Sequence, residues 1–295
     1  MESKGQSLLE VRPTESQALA QVAARPSTAP DHACAKSDTR MEERINPRMT
    51  INYFVSQQGI TVEDIGVASI VVISWGRRVI QSLADTIGAQ TPPHWFYNEG
   101  LLFYTGQAQG QRVSFAQAPV GAPGTVMMME EMIACGARVF LGLGWAGSLQ
   151  PSAPVGTLLI PMACIREEGT SFHYLDDEAT IAPSERLAET LRTVAQSEGA
   201  RIASGSLWTT DAPYRELVSK IESYGQQGVL GVDMETSAMY ALGQFRGVEV
   251  CNLLVVSDEL WHEWHAAFRT PELEEATECA QRVILRCLAN DVLLE

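Results

Sequence analysis

"RVFLGLGWAGSLQP", residues 138–151, sets Gly142, Gly144 and Gly147 in the spacing G-x-G-x-x-G, directly after an apolar run that reads as a buried strand. A dinucleotide fingerprint needs such glycines to open a helix, because the pyrophosphate rests on that helix's N-terminal amides. Here Pro151 and Pro154 follow, and a fresh strand begins near Thr157, so a helix does not fit after Gly147. Two uses of the glycines remain. One is a tight turn, and the other is close approach of backbone to a ligand at the C-terminal end of a strand, where open α/β sheets bind.

Working outward, short β-rich runs alternate with helical patterns on both sides of this stretch. "IGVASIVVIS" (65–74) reads as a strand, "RRVIQSLADTIG" (77–88) as a helix, "LLFYTGQAQGQRVSFAQAP" (101–119) as a hairpin and "PGTVMMMEEMIACG" (123–136) as a helix. Beyond it come the strand "VGTLLIPMACI" (155–165), the helix "PSERLAETLRTVAQSEG" (183–199) and the strand "ARIASGSLWTT" (200–210). The helix "DMETSAMYALGQFRG" (233–247), the strand "VEVCNLLVVSDE" (248–259) and a terminal helix from about Pro271 complete the series. Such alternation predicts a mixed or parallel sheet covered by helices. Glycines at 136, 199 and 247 stand where helix ends want a left-handed cap.

Residues 1–48 are rich in Ala, Ser, Pro and Gln without sustained periodicity, and read as a disordered tail; residues 49–295 read as one domain. The chain has 295 residues, 45% of them hydrophobic, enough for one large α/β core. Its net charge of -15 repels phosphate backbones and anionic lipid, which argues against nucleic acid or a membrane surface as partner. Six scattered cysteines show no C-x-x-C pair and no metal-ligand spacing, which predicts buried free thiols and a cytoplasmic protein without a leader.

Four further features carry chemistry: "REEGTSFHYL" (166–175), "TTDAPYRE" (209–216), "GVDMETSAMYAL" (231–242) and "LLVVSDEL" (253–260). Taken in order with "GLGWAGSLQP", they resemble the nucleoside phosphorylase and nucleosidase superfamily, closest to its uridine phosphorylase-like branch, from about Ile70 onward. The resemblance implies a three-layer α/β sandwich, with a central mixed β-sheet flanked by helices. It also implies cleavage of the N-glycosidic bond of a nucleoside through an oxocarbenium-like sugar. No cofactor is implied.

By the same resemblance Met234 lies under the ribose, Glu235 accepts from its hydroxyls, and Asp258, beside Ser257, protonates a purine-type leaving base. Arg269 stands roughly where purine-cleaving relatives keep an arginine that assists this acid. His173 corresponds to a position near the site rim, and Pro213 with Tyr214 stands where relatives stack an aromatic ring on the base. The plainer alternatives are a helix start for "DMETS", a turn residue for Asp258 and a satisfied structural histidine for His173.

Departures from the family pattern fall at the second substrate. After the first strand, "VVISWGRRVI" keeps an arginine at Arg78, but Ser74 and Trp75 disturb the glycine turn. A second arginine position falls on Gly142, a Thr or Ser position on Trp145, and an arginine from the neighbouring subunit near Asn98. Losing such donors, at about 1.5 to 3 kcal/mol per hydrogen bond to a charged group, weakens phosphate binding by orders of magnitude. Hydrolytic relatives use a glutamate after the first strand, and that position is again Arg78. The Gly142 to Gly147 loop, with Gly144 and Trp145 as candidate binding residues, is expected to face the nucleophile, and whether that is water or phosphate stays open.

"WHEWHAAF" (261–268) offers His262 and His265 at i, i+3 rather than the i, i+4 of a zinc helix, so no metal is expected and a flap beside the base pocket is preferred. The resulting expectation is a purine-type nucleoside phosphorylase or nucleosidase. Its partners are a small nucleoside, phosphate as candidate second substrate, and further copies of the chain in a dimer or hexamer. Two other functions fit the same residues: a non-catalytic nucleoside-binding protein, and a repurposed enzyme acting on a nucleoside-like metabolite.

Overall fold

Strand β1 (Ile70–Ser74) shows how the apolar runs become a sheet. Ile70 and Val72 point into one core, while Val71 and Ile73 point into another, so both faces of the strand are covered. The computed structural model describes residues 43–97 and 100–289. From Ile45 onward the described residues form one compact unit. The tail expected over residues 1–48, and Asn98, lie largely outside the described residues; the first described helix, α1 (Pro47–Gln58), starts two residues inside that span.

The remaining strands are β2 (Phe103–Ala108), β3 (Gln111–Gln117), β4 (Val139–Ser148), β5 (Leu158–Glu167), β6 (Ile202–Thr210), β7 (Gly231–Asp233), β8 (Glu249–Glu259) and β9 (His265–Ala266). They make a single mixed sheet in the order β2-β3-β1-β4-β7-β6-β5-β8-β9. A further parallel pairing of β4 with β8 closes β4, β7, β6, β5 and β8 into a ring. Helices α2 (Arg77–Thr86), α4 (Glu185–Ser197) and α7 (Pro271–Leu288) press Leu83, Leu191 and Ile284 onto one face. Helices α1, α3 (Ala122–Ala134) and α6 (Thr236–Arg246) press Ile51, Met129 and Leu242 onto the other, giving three layers. A short helix α5 (Val218–Gln226) follows the β6 end.

Local chemistry sets the helix limits. Ser184 Oγ accepts from the Leu187 amide at the start of α4, Thr270 Oγ1 accepts from Leu273 before Pro271 opens α7, and Gly247 closes α6 at φ 67°.

The glycine stretch is not a loop. Residues 139–148 are one strand, held by β1 on one side and β8 on the other, with a bulge between Ala146 and Gly147. The neighbouring β8 offers ladder partners as far as Ser148, so extended backbone continues through the glycines. A Cβ on Gly142 would lie 2.1 Å from Asn252 Oδ1, and one on Gly144 would lie 2.6 Å from the Trp75 ring. These glycines exist to let side chains cross the backbone at contact distance.

The five described cysteines, at 135, 164, 251, 279 and 287, are free, and burial pushes the Cys251 and Cys287 thiols up to about 12. Among the described residues no helix is long and apolar enough to cross a membrane.

Candidate active site

The strand ends at which β1, β4, β7 and β8 finish converge on a cleft of about 730 Å³. Each contributes its C-terminal residues: Ser74 and Trp75, Gly144 to Gly147, Asp233, and Ser257 with Asp258. This is where a twisted α/β sheet leaves room for a ligand. A smaller cavity of about 480 Å³ lies among Phe54, His94, Trp95 and Tyr97, and among the described residues that line it there is no carboxyl.

At the floor, Asp233 is 7% exposed and anchors the turn from β7 into α6. Its Oδ1 accepts from Thr209 Oγ1 at 2.7 Å, and its Oδ2 accepts from the Thr236 amide at 3.0 Å and from Thr236 Oγ1 at 2.5 Å. Thr236 Oγ1 in turn accepts from Asn252 Nδ2 at 2.8 Å, which ties the turn to β8. The next two residues, Met234 and Glu235, line the cleft. Glu235 is 6% exposed and its Oε1 accepts from the Gly121 amide at 2.6 Å. Burial first, and then the charge of Asp233, pushes the Glu235 carboxyl above the usual range. Desolvation also raises Asp233, against the pull of its donors.

The cleft has two ends. Gly144 packs under Trp75, whose Nε1 donates to Thr125 Oγ1 at 2.9 Å, and Trp145 stands half-exposed with its Nε1 3.4 Å from Thr277 Oγ1. Three residues along the strand, about 10 Å further at strand rise, Gly147 pairs with Asp258. Asp258 Oδ1 accepts from Ser257 Oγ at 2.7 Å and Oδ2 accepts from Trp264 Nε1 at 2.9 Å. Tyr214, fully exposed, and Glu216 complete this end from the segment after β6.

Of the residues singled out in the sequence, Asp258, Glu235, Met234, Ser257, Tyr214, Trp145 and Gly144 meet in this cleft. Arg78, His173 and Arg269 do not line it. Arg78 lies on the outer side of α2 beside Gln81 and Asp85, His173 is exposed on a short 3₁₀ turn (Ser171–His173), and Arg269 is exposed at φ 65° before α7. Gly142 is outside as well, because Asn252 occupies its flank. Trp208 is buried against Glu167, which accepts from its Nε1 at 3.1 Å. His262 pairs with Glu259 at 3.1 Å, and His265 stands on β9. Among the described residues no set of three His, Cys, Asp or Glu side chains converges as metal ligands.

Two of the lining carboxyls are not among the site residues expected from the sequence. Asp233 reads as a helix start in "DMETS", and Glu216 closes "TTDAPYRE" without an assigned role; a carboxyl just before α5 is the available signal. Burial and the charge of Asp258 push Glu216 up to about 7. With Asp233, Glu235 and Asp258 it makes four carboxyls, and among the described residues that line the cleft there is no Lys, Arg or His.

A cleft at the strand ends of a mixed sheet, with a buried carboxyl at its floor and a partly exposed one at its far end, defines an α/β protein built to hold a small polar ligand. The matching family model is the phosphorylase superfamily, over residues 70–289, and the chain belongs to that family. Purine nucleoside phosphorylase DeoD-type from Bacillus cytotoxicus is 29% identical over 185 residues, 61% of this chain and 79% of that protein. The protein of the same name from Bacillus thuringiensis is 29% identical over 55% of this chain and 70% of its own length. The crystal structure of purine nucleoside phosphorylase from Toxoplasma gondii in complex with immucillin-H shares the fold, with a TM-score of 0.70 at 24% identity over 78% of this chain and 93% of that one.

Proposed function

We propose that the chain cleaves the N-glycosidic bond of a purine-type nucleoside, with Met234 and Glu235 holding the ribose and the Asp258 end of the cleft supplying the proton to the leaving base. The observation that carries this reading is Glu235, buried beside Met234 and fixed by the Gly121 amide at 2.6 Å, in the same cleft as Asp258. A carboxyl held in this way orients ribose hydroxyls, and in its ionised form stabilises positive charge developing on the sugar. Relatives named as purine nucleoside phosphorylases support the purine class.

The nucleophile in this reading is water. Four carboxyls and three indoles line the cleft, and no cation among the described residues offsets a phosphate dianion there. The position the resemblance gives to an arginine is taken by Gly142 against Asn252, and Trp75 covers Gly144. We further propose a homo-oligomer of two or six copies, as the resemblance implies, and a cytoplasmic setting, which the free thiols support.

The deciding experiment incubates the protein with a nucleoside panel, with and without phosphate, and measures free base and the sugar product. Base release with free ribose at a rate indifferent to phosphate is expected. Ribose phosphate as product overturns the water reading, and calorimetric binding without base release selects a nucleoside-binding protein. Turnover restricted to other N-ribosyl metabolites selects the repurposed enzyme. Light scattering that shows a monomer removes the oligomer.

A further inference from the structure

We propose that Glu216, rather than Asp258, carries the proton delivered to the leaving base, with Asp258 held beside it as the ionised partner. This rests on the nucleoside-cleaving reading above. Asp258 already accepts on both oxygens, from Ser257 Oγ at 2.7 Å and from Trp264 Nε1 at 2.9 Å. A proton placed on either oxygen sets an O–H against an existing donor. Glu216 lines the same end of the cleft, half-buried, and among the described residues no donor is hydrogen-bonded to its carboxyl. Of two carboxyls that share a site, the one without donors keeps the proton.

The surroundings agree. From β8 the charged group facing Glu216 is Asp258, and from the β7–α6 turn the cleft adds Asp233 and Glu235. On its own segment Arg215 is exposed to solvent, and Lys220 is drawn off to Glu167 at 2.6 Å. On the flap, His262 is paired with Glu259. Desolvation, followed by the charge of Asp258, places the Glu216 carboxyl at about 7, where a general acid works best near neutrality.

In the step itself, the Glu216 O–H proton passes to a ring nitrogen of the purine as the bond from C1′ to the base breaks. The bonding pair leaves with the base, which departs neutral. Water adds its oxygen to C1′ and loses a proton to solvent, and Glu216 takes a proton back from solvent. Nucleoside and water give base and ribose.

The test compares E216Q and D258N with the wild type on an ordinary purine nucleoside and on its 7-methyl counterpart, whose ring is already cationic and leaves without a proton. For the wild type, kcat falls as pH rises through about 7. E216Q is expected to lose about 100-fold or more in kcat on the ordinary substrate, to lose that limb, and to keep the 7-methyl substrate within a few-fold. D258N, which removes the neighbouring charge, is expected to move the limb to lower pH rather than erase it. The proposal is overturned if E216Q keeps both rate and limb, or if D258N alone erases the limb.

If the wild type releases base from no nucleoside, the proposed activity fails by itself, and carboxyl-carbon NMR still reads the pair in the free protein. A Glu216 titration midpoint near 7 that drops in D258N sustains the shared proton, and a midpoint in the ordinary glutamate range overturns it.

Discussion

Glu235 Oε1 sits 2.6 Å from the amide of Gly121, a residue 114 positions earlier in the chain. The contact joins the start of α3 to the start of α6, and so fixes the floor of the cleft from two helices at once. Gly121 holds φ 97° and ψ 151°, a conformation in which side chains are strained.

Glu235→Gln keeps the shape and removes the charge available to the ribose hydroxyls. At about 1.5 to 3 kcal/mol for a hydrogen bond to a charged group, kcat/KM on a ribonucleoside is expected to fall about 10- to 100-fold. Steady-state kinetics on ribonucleosides and deoxyribonucleosides checks it. Discrimination between the two sugars is expected to shrink in the variant, and undiminished discrimination would take Glu235 off the sugar.

Gly121→Ala strains the backbone that presents the amide, at about 1 to 3 kcal/mol. Weaker turnover together with a lower melting temperature is expected, whereas a change at an exposed glycine such as Gly110 leaves turnover alone. Gly110 also holds a positive φ, 87°, so stability can fall at both, and an equal loss of turnover at both would contradict the structural account.

Gly142→Ala puts a Cβ 2.1 Å from Asn252 Oδ1 and 2.7 Å from its Cγ. Asn252 is fully buried and bonded to Thr236, which bonds to Asp233, so the clash is transmitted to the Met234–Glu235 turn. Overpacking costs about 1 to 3 kcal/mol, and urea unfolding is expected to show a lower midpoint with unchanged slope.

The raised carboxyls set a pH dependence of stability. Glu216 titrates at about 7 in the folded chain, against an ordinary glutamate value of 4.5 when unfolded. Between these values the folded state binds more protons, so this group's contribution falls as pH rises from 4.5 through 7. Glu235 and Asp233 are shifted in the same direction. Melting temperatures are expected to drop from pH 6 to pH 8, and Glu216→Gln to lessen the drop by a few degrees, since partial exposure holds its share to about 1 kcal/mol. A steeper drop in Glu216→Gln would reverse the sign argued here.

Much of this architecture is legible in the chain itself. The apolar run "IVVIS" reads as a strand and is one, covered on both faces, and the motifs of β4, β6, the β7–α6 turn and β8 meet at one cleft although they lie far apart in sequence. What escapes the eye depends on distant partners. Helix α1 buries only Ile51 and shows no apolar stripe, and the three residues of β7 become a strand because β4 and β6 flank them. Glu216 owes its proton affinity to burial and to Asp258, a relationship no local pattern encodes. The glycines signal a ligand loop, yet Gly142 answers to Asn252, 110 residues downstream, because packing rather than binding sets its size.

Strand β9 is two residues long and pairs Ala266 with Asp258 and His265 with Glu259. The flap that carries Trp264 is therefore fastened to the residues it shelters, by a ladder too short to persist on its own. A ligand that takes the place of the indole removes the donor on Asp258 Oδ2, so what enters that end of the cleft also decides what solvates its carboxyl.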